Sequence, residues 1–238
     1  MPQDCFTKLF CITIGLIVKS RPKSYTLFGN ITNFVASKQK KAMKQKHFNS
    51  YKEELDLEFL RQYCLEYGEV KTFEQGEALE KAGETAQWIA YVESGYFKYM
   101  VNRTGGASIC TGFAFEGELV ADYPYCLIGD ISEVTIEAGM DSKVHIINAR
   151  ELQRMYDEDE KKMRQGMQII HNLFKMVYSR FLDHYRYDAY ERYRQLLNRC
   201  PQVVQMLSLK DIASFLNITP TYLSRIRKEI TFGEERQD

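Results

Sequence analysis

The sequence predicts an α+β protein: an N-terminal double-stranded β-helix (a jelly roll), then a long helix, then a C-terminal helix-turn-helix domain. Three observations carry that expectation. From Val70 to Ile147 short apolar segments alternate with glycines at 76, 83, 95, 105, 106, 112, 117, 129 and 139, which is the texture of many short strands joined by turns. From Met163 to His184 apolar residues recur at spacings of four and three, the mark of a heptad seam. From Ser208 to Ile230 the chain carries the caps, turn and core of two short helices.

The 238 residues and 45% apolar content suit a globular chain of two modest domains. A formal charge of zero hides an asymmetry. Residues 1–46 carry nine Lys/Arg against one acid, residues 47–188 carry 15 against 25, and residues 189–238 carry eight against six. An acidic body with a locally basic C-terminal helix fits a protein that touches nucleic acid at one end only. The six cysteines, at 5, 11, 64, 110, 126 and 200, form no CxxC pair and no zinc or ferredoxin-like spacing. They read as reduced thiols of a cytoplasmic protein.

Residues 1–46 read as a basic extension ending in SKQKKAMKQK, either a disordered arm or sequence upstream of the true start at Met43. The apolar run Leu9–Val18 is ten residues, too short to span a bilayer. With Lys8 the only cation before it and Ser20-Arg21-Pro22 after it, it is a poor signal peptide. No membrane association is expected. The sensor domain is placed at 47–150. It opens with a helical stretch, in which Leu55, Phe59, Leu60 and Tyr63 recur at helical spacing before Gly68. In the strands that follow, Trp88, Tyr91 and Val92, and later Phe113 and Phe115, are expected to fill the roll. The histidines, at 47, 145, 171 and 184, are scattered. A catalytic β-roll would want a His/Glu metal cluster, so neither a metal site nor an enzyme is expected.

Residues 151–187 read as one dimerisation helix with an acidic first turn, Asp157 to Glu160. Its seam is Met163, Met167, Ile170, Phe174, Val177 and Phe181, with His184 as a helix-end contact. A second stripe, Ile169, Leu173 and Met176, faces another way and can lie on the chain's own β-domain. The seam would meet a second copy of the chain.

Residues 188–238 form the last domain. Tyr193, Leu196 and Leu197 pack its first helix, and Pro201 breaks it. Ser208 and Asp211 make a capping box, Asn217 turns the chain, and Thr219 and Pro220 start the next helix. At about 100° per residue, Thr221, Ser224, Arg225 and Lys228 lie opposite the apolar Leu223 and Ile226. Tyr222 and Arg227 flank that exposed face. An arginine suits guanine, and hydroxyls and further cations suit phosphates, so double-stranded DNA is the expected partner.

This order of elements resembles the Crp/Fnr family of transcription regulators, whose founder is the cyclic-AMP receptor protein. The resemblance covers roughly residues 47–230. It rests on Val92-Glu93-Ser94-Gly95, on Phe115-Glu116-Gly117-Glu118-Leu119, on the seam helix, and on Leu223-Ser224-Arg225. The family's Gly-Glu-Leu segment opens a cyclic-nucleotide pocket, so the resemblance implies an effector pocket of Gly117, Glu118 and Leu119, with Glu118 at the ribose contact. The family's phosphate-binding arginine is missing, and Ser132 and Glu133 stand in its place. Cyclic AMP is therefore not expected to bind in the family manner, and the pocket is empty or takes another ligand. Cys5 and Cys11 do not reproduce the family's iron–sulfur cysteine cluster.

At the DNA end, the resemblance makes Arg225 the base-reading arginine. Thr221 stands where many members carry a glutamate. Only TFGEERQD follows Ile230, so the family's β-wing is expected to be short or absent. The resemblance implies a homodimeric regulator of transcription, with RNA polymerase and a small-molecule effector as further partners. Competing readings are an AraC-like regulator and a non-catalytic module that docks a protein partner.

Overall fold

A computed structural model describes residues 48–49, 57–123 and 125–232. The expectations for residues 1–46 and for the wing lie outside the described residues. Eight strands carry the middle of the chain: β1 Glu69–Phe73, β2 Ala78–Glu80, β3 Trp88–Ser94, β4 Tyr96–Asn102, β5 Ser108–Phe115, β6 Leu119–Ala121, β7 Thr135–Ala138 and β8 Ser142–Asn148. They form two four-stranded antiparallel sheets in the orders β1-β8-β3-β6 and β2-β7-β4-β5. These are the two sheets of an eight-stranded jelly roll. Alternate residues point inward. Phe73, Leu79, Ala90, Val92, Phe97, Ala114, Val120, Ile136, Ala138, Val144 and Ile146 make the roll's core.

Two local devices shape the roll. Glu80 is a buried carboxylate whose Oε1 accepts the backbone N–H groups of Gln87 and Trp88, each at 2.7 Å. Burial pushes its carboxyl up from the usual range, and those two donors work against that shift. At the other end Gly95 takes φ +86°, and a Cβ there would collide with Ser142. A side chain is excluded on both counts.

Helix α1 (Glu58–Tyr67) packs outside the roll through Leu60 and Cys64, against Ile89 and Ile147. The short α2 (Tyr125–Ile128) joins the same layer through Cys126 and Leu127. The single helix expected over 151–187 is two: α3 (Ala149–Glu158) and α4 (Glu160–Arg186). The break falls at Asp159, which is extended at φ −133°, ψ 106°. Its carboxylate caps α4 by accepting from Lys161 N and Lys162 N. Asp157 and Glu158 thus end α3 and do not open α4, because a carboxylate that can bond the next helix's free N–H groups favours a new start. Gly166 brings α4 onto α3, since a Cβ there would stand 2.9 Å from the Tyr156 ring.

The C-terminal helices are α5 (Ala189–Arg199), α6 (Val203–Met206), α7 (Leu209–Phe215) and α8 (Pro220–Phe232). Asp188 caps α5 by accepting from Glu191 N. Here the structure corrects the reading of β5. Phe113 and Phe115 do not fill the roll; they join Phe48, Tyr193, Leu196, Val203, Ile212, Leu223 and Ile226 in the core of the C-terminal helices. The cause is a register shift opposite Tyr99–Met100. Tyr99 pairs with Gly112 and Met100 with Cys110, so Thr111 is the extra residue of a bulge. The bulge turns Cys110, Phe113 and Phe115 to one face and leaves Ala114 inside. Tyr91 likewise packs outside the roll, under α1, with the Arg61 guanidinium 5.3 Å from its ring centroid.

Candidate functional site

The last two helices are built as their residues dictate. Ser208 Oγ accepts from Asp211 N at 3.0 Å and donates to the Asp211 carboxylate at 2.8 Å, which fixes the start of α7. Leu216 ends that helix, and Asn217 follows at φ +55°. Ile218 N donates to Ala213 O at 2.9 Å, drawing the chain back over α7. Thr219 Oγ1 then accepts from Tyr222 N at 3.2 Å and starts α8. Leu223 and Ile226 are fully buried against α7, while Thr219, Thr221, Tyr222, Arg225, Arg227 and Lys228 are exposed and Ser224 is half-buried. The expected reading residues thus share one solvent face, and three of them are cations.

Gly117 turns at φ +85°, and Glu118 follows it into β6, where Leu119 is half-buried. The Glu118 carboxylate accepts from Asn49 N at 3.2 Å, Asn49 Nδ2 at 2.8 Å and Phe115 N at 2.9 Å. Arg180 of α4 donates to Asn49 Oδ1 at 3.0 Å. Burial and the charge of Arg199 bring the Arg180 guanidinium down to about 10, and Glu118 opposes that fall. Glu118 therefore anchors a junction between the roll, α4 and residues 48–49.

Ser132 is buried and lies in a separate network. Its Oγ is 2.7 Å from Asp122 Oδ2 and 2.8 Å from Val134 O. One hydroxyl proton serves both acceptors. Glu133 is exposed. Asp122 was not singled out from the sequence; it carries no motif and gains its meaning only from lying beside Ser132.

The expected seam lies open. Met163, Met167, Phe174, Val177 and Phe181 are 46–59% exposed along α4, with Ile170 half-buried. The other stripe of the helix faces the chain's own fold: Ile169 is buried and Leu173 packs beside it. Among the described residues no group of three His, Cys, Asp or Glu could hold a metal ion. Cys64, Cys110 and Cys126 are buried, and burial pushes their thiols up to about 12. No described helix is long and apolar enough to cross a membrane.

No protein-family model and no curated protein matches the sequence. Solved structures do match. FixK2 from Bradyrhizobium japonicum superposes with a TM-score of 0.61 at 16% identity, over 72% of this chain and 89% of that one. A Crp/Fnr-family transcriptional regulator from Eubacterium rectale gives 0.58 at 16% identity, over 75% and 86%. The fold is that of the Crp/Fnr regulators. CLP of Xanthomonas campestris, a c-di-GMP responsive global regulator, gives 0.55 at 14% identity, over 77% of this chain and 96% of that one.

Proposed function

We propose that the chain is a sequence-specific, DNA-binding regulator of transcription of the Crp/Fnr type, and not an enzyme. The observation that carries this reading is α8: a helix pinned by buried Leu223 and Ile226, with Thr221, Arg225 and Lys228 on its open face. Helices α7 and α8 make a helix-turn-helix. Residues 188–238 form the DNA-binding domain, residues 47–150 the sensor domain, and residues 151–187 the dimerisation region. Thr219, Tyr222, Ser224 and Arg227 complete the DNA surface, with hydroxyls and cations for phosphates. Arg225 reads a base in the major groove.

The protein acts as a homodimer joined along α4. Five apolar side chains in heptad register, half-exposed on one helix, form a surface that a second copy covers. The dimer sets two copies of α8 into successive major grooves, about 34–36 Å apart. A signal in the sensor domain shifts the population between two arrangements of the dimer.

Cyclic AMP is not the signal in the family manner. Glu118 is committed to Asn49 and Phe115, and Ser132 Oγ lies beside the Asp122 carboxylate, so a cyclic phosphate placed at Ser132 would meet a carboxylate. The sensor takes another ligand or none.

Three measurements test these readings. Genome-wide footprinting should yield pseudo-palindromic sites that Arg225→Ala no longer protects, a loss of about 1–3 kcal/mol per half-site. A footprint unchanged by that substitution removes Arg225 as the reading residue. In sedimentation, Val177→Asp should raise the dimer dissociation constant at least about 100-fold, because it buries two carboxylates in the seam. A monomeric wild type at micromolar concentration contradicts the seam. Calorimetry with cyclic AMP should show no micromolar binding, and binding that Glu118→Ala abolishes would overturn the account of the pocket.

A further inference from the structure

We propose that Arg103 is a positioning residue for the DNA-reading helix: the β4–β5 hairpin of the roll grips the α7–α8 turn directly, apart from anything transmitted along α4. This inference rests on the DNA-binding reading above and names a route by which the sensor domain acts on it. Arg103 sits at the closing pair of the hairpin. Its N–H donates to Ala107 O at 2.8 Å and its carbonyl accepts from Gly106 N at 3.0 Å, so its backbone is fixed. From there its Nη2 reaches Asn217 Oδ1 at 2.5 Å, across 114 residues of sequence.

Asn217 is no ordinary target. It is the one non-glycine residue at positive φ among the described residues, and its left-handed turn sets the angle between α7 and α8. Three residues earlier, Ser214 Oγ accepts from Cys110 N of β5 at 2.8 Å. Between them Phe215 packs on Phe113, with ring centroids 5.9 Å apart. The turn is held from the opposite side as well. Arg192 donates from Nη1 to Tyr187 O at 2.8 Å, just past α4, and from Nη2 to Leu216 O at 3.2 Å. Leu216 and Asn217 are therefore clamped between the roll and the end of the dimerisation helix.

Arg103 and Asn217 are both exposed, and neither lies on the reading face or in the core. Losing their hydrogen bond should barely change global stability, since an exposed bond of this kind contributes little to folding. It should change how firmly the turn, and with it α8, is held against the roll.

The test compares full-length wild type with Arg103→Ala, Arg103→Lys, Asn217→Gly and the Arg103→Ala/Asn217→Gly double variant. Glycine keeps the left-handed backbone while removing the acceptor. In hydrogen exchange, amides 214–219 should exchange faster in both Arg103→Ala and Asn217→Gly, with no further gain in the double variant and no change along α4. Arg103→Lys should restore the wild-type rates. On a footprinted site, each of the two single variants should bind about three- to tenfold more weakly, and the double variant no more weakly than the weaker of them. Unchanged exchange in the single variants overturns the grip. Equal or tighter binding, or losses that add in the double variant, overturns the positioning role. A wild type that binds no specific site defeats the DNA reading, and the exchange measurement still decides the grip.

Discussion

Four aromatic rings from three distant parts of the chain meet where the jelly roll touches the C-terminal helices. Phe48 packs edge-on against Phe113, Phe115 and Phe215 at centroid distances of 5.4, 5.4 and 5.1 Å, the arrangement that aromatic quadrupoles favour. Phe48 and Phe113 are almost completely buried. Burying a side chain of this size contributes on the order of 1.5–3 kcal/mol, so the cluster outweighs the exposed hydrogen bonds around it. Strand β5 belongs to two cores at once, with Ala114 in the roll and Phe113 and Phe115 in the helices. As an edge strand it would otherwise offer unpaired backbone groups; α7 lies over it, and Ser214 takes the N–H of Cys110.

This junction also explains why Glu118 has the partners it has. Asn49 follows the buried Phe48 and brings its N–H and carboxamide to the Glu118 carboxylate. Two largely buried arginines close the far side. Arg180 donates to Asn49 Oδ1, and Arg199 donates to Phe48 O at 2.9 Å. Burial lowers both guanidinium pKa values, and the Arg199 charge lowers that of Arg180 further. Carbonyl acceptors from residues 48–49 and the Glu118 carboxylate offset part of the cost of holding these cations away from water. The Glu118 carboxylate is thus held by groups of the chain itself. The roll, α4 and the C-terminal helices are joined at this one surface.

Much of this was legible in the sequence where a local rule fixes a local structure. Glycines marked the corners of the roll. Ser208, Asp211, Asn217, Thr219 and Pro220 drew the helix pair residue by residue, because caps and left-handed turns depend on neighbours a few positions away. The heptad spacing marked the stripe of α4 that lies open. What escaped was long-range or depended on a single inserted residue. The bulge at Thr111 reverses which side of β5 faces the roll; Gly112 beside it reads equally as a corner between strands, and only the pairing with Tyr99 shows that it marks a bulge. The Asp159 break was hidden inside an acidic run that fits a helix start at any of its four positions. Asp122, Asn49 and Arg103 carry no motif; each matters only through a partner 10, 69 or 114 residues away.

The central claim is that the roll and helices α7 and α8 share one core through the Phe48–Phe113–Phe115–Phe215 cluster. Native-state hydrogen exchange on the wild type and on Phe113→Ala tests it most directly. If the core is shared, the slowest amides of β5, α7 and α8 open with one common free energy, and Phe113→Ala lowers all of them together by about 3–5 kcal/mol. Exchange in which α7 and α8 open at a lower energy than β5, and in which Phe113→Ala moves only one of the two sets, would contradict it.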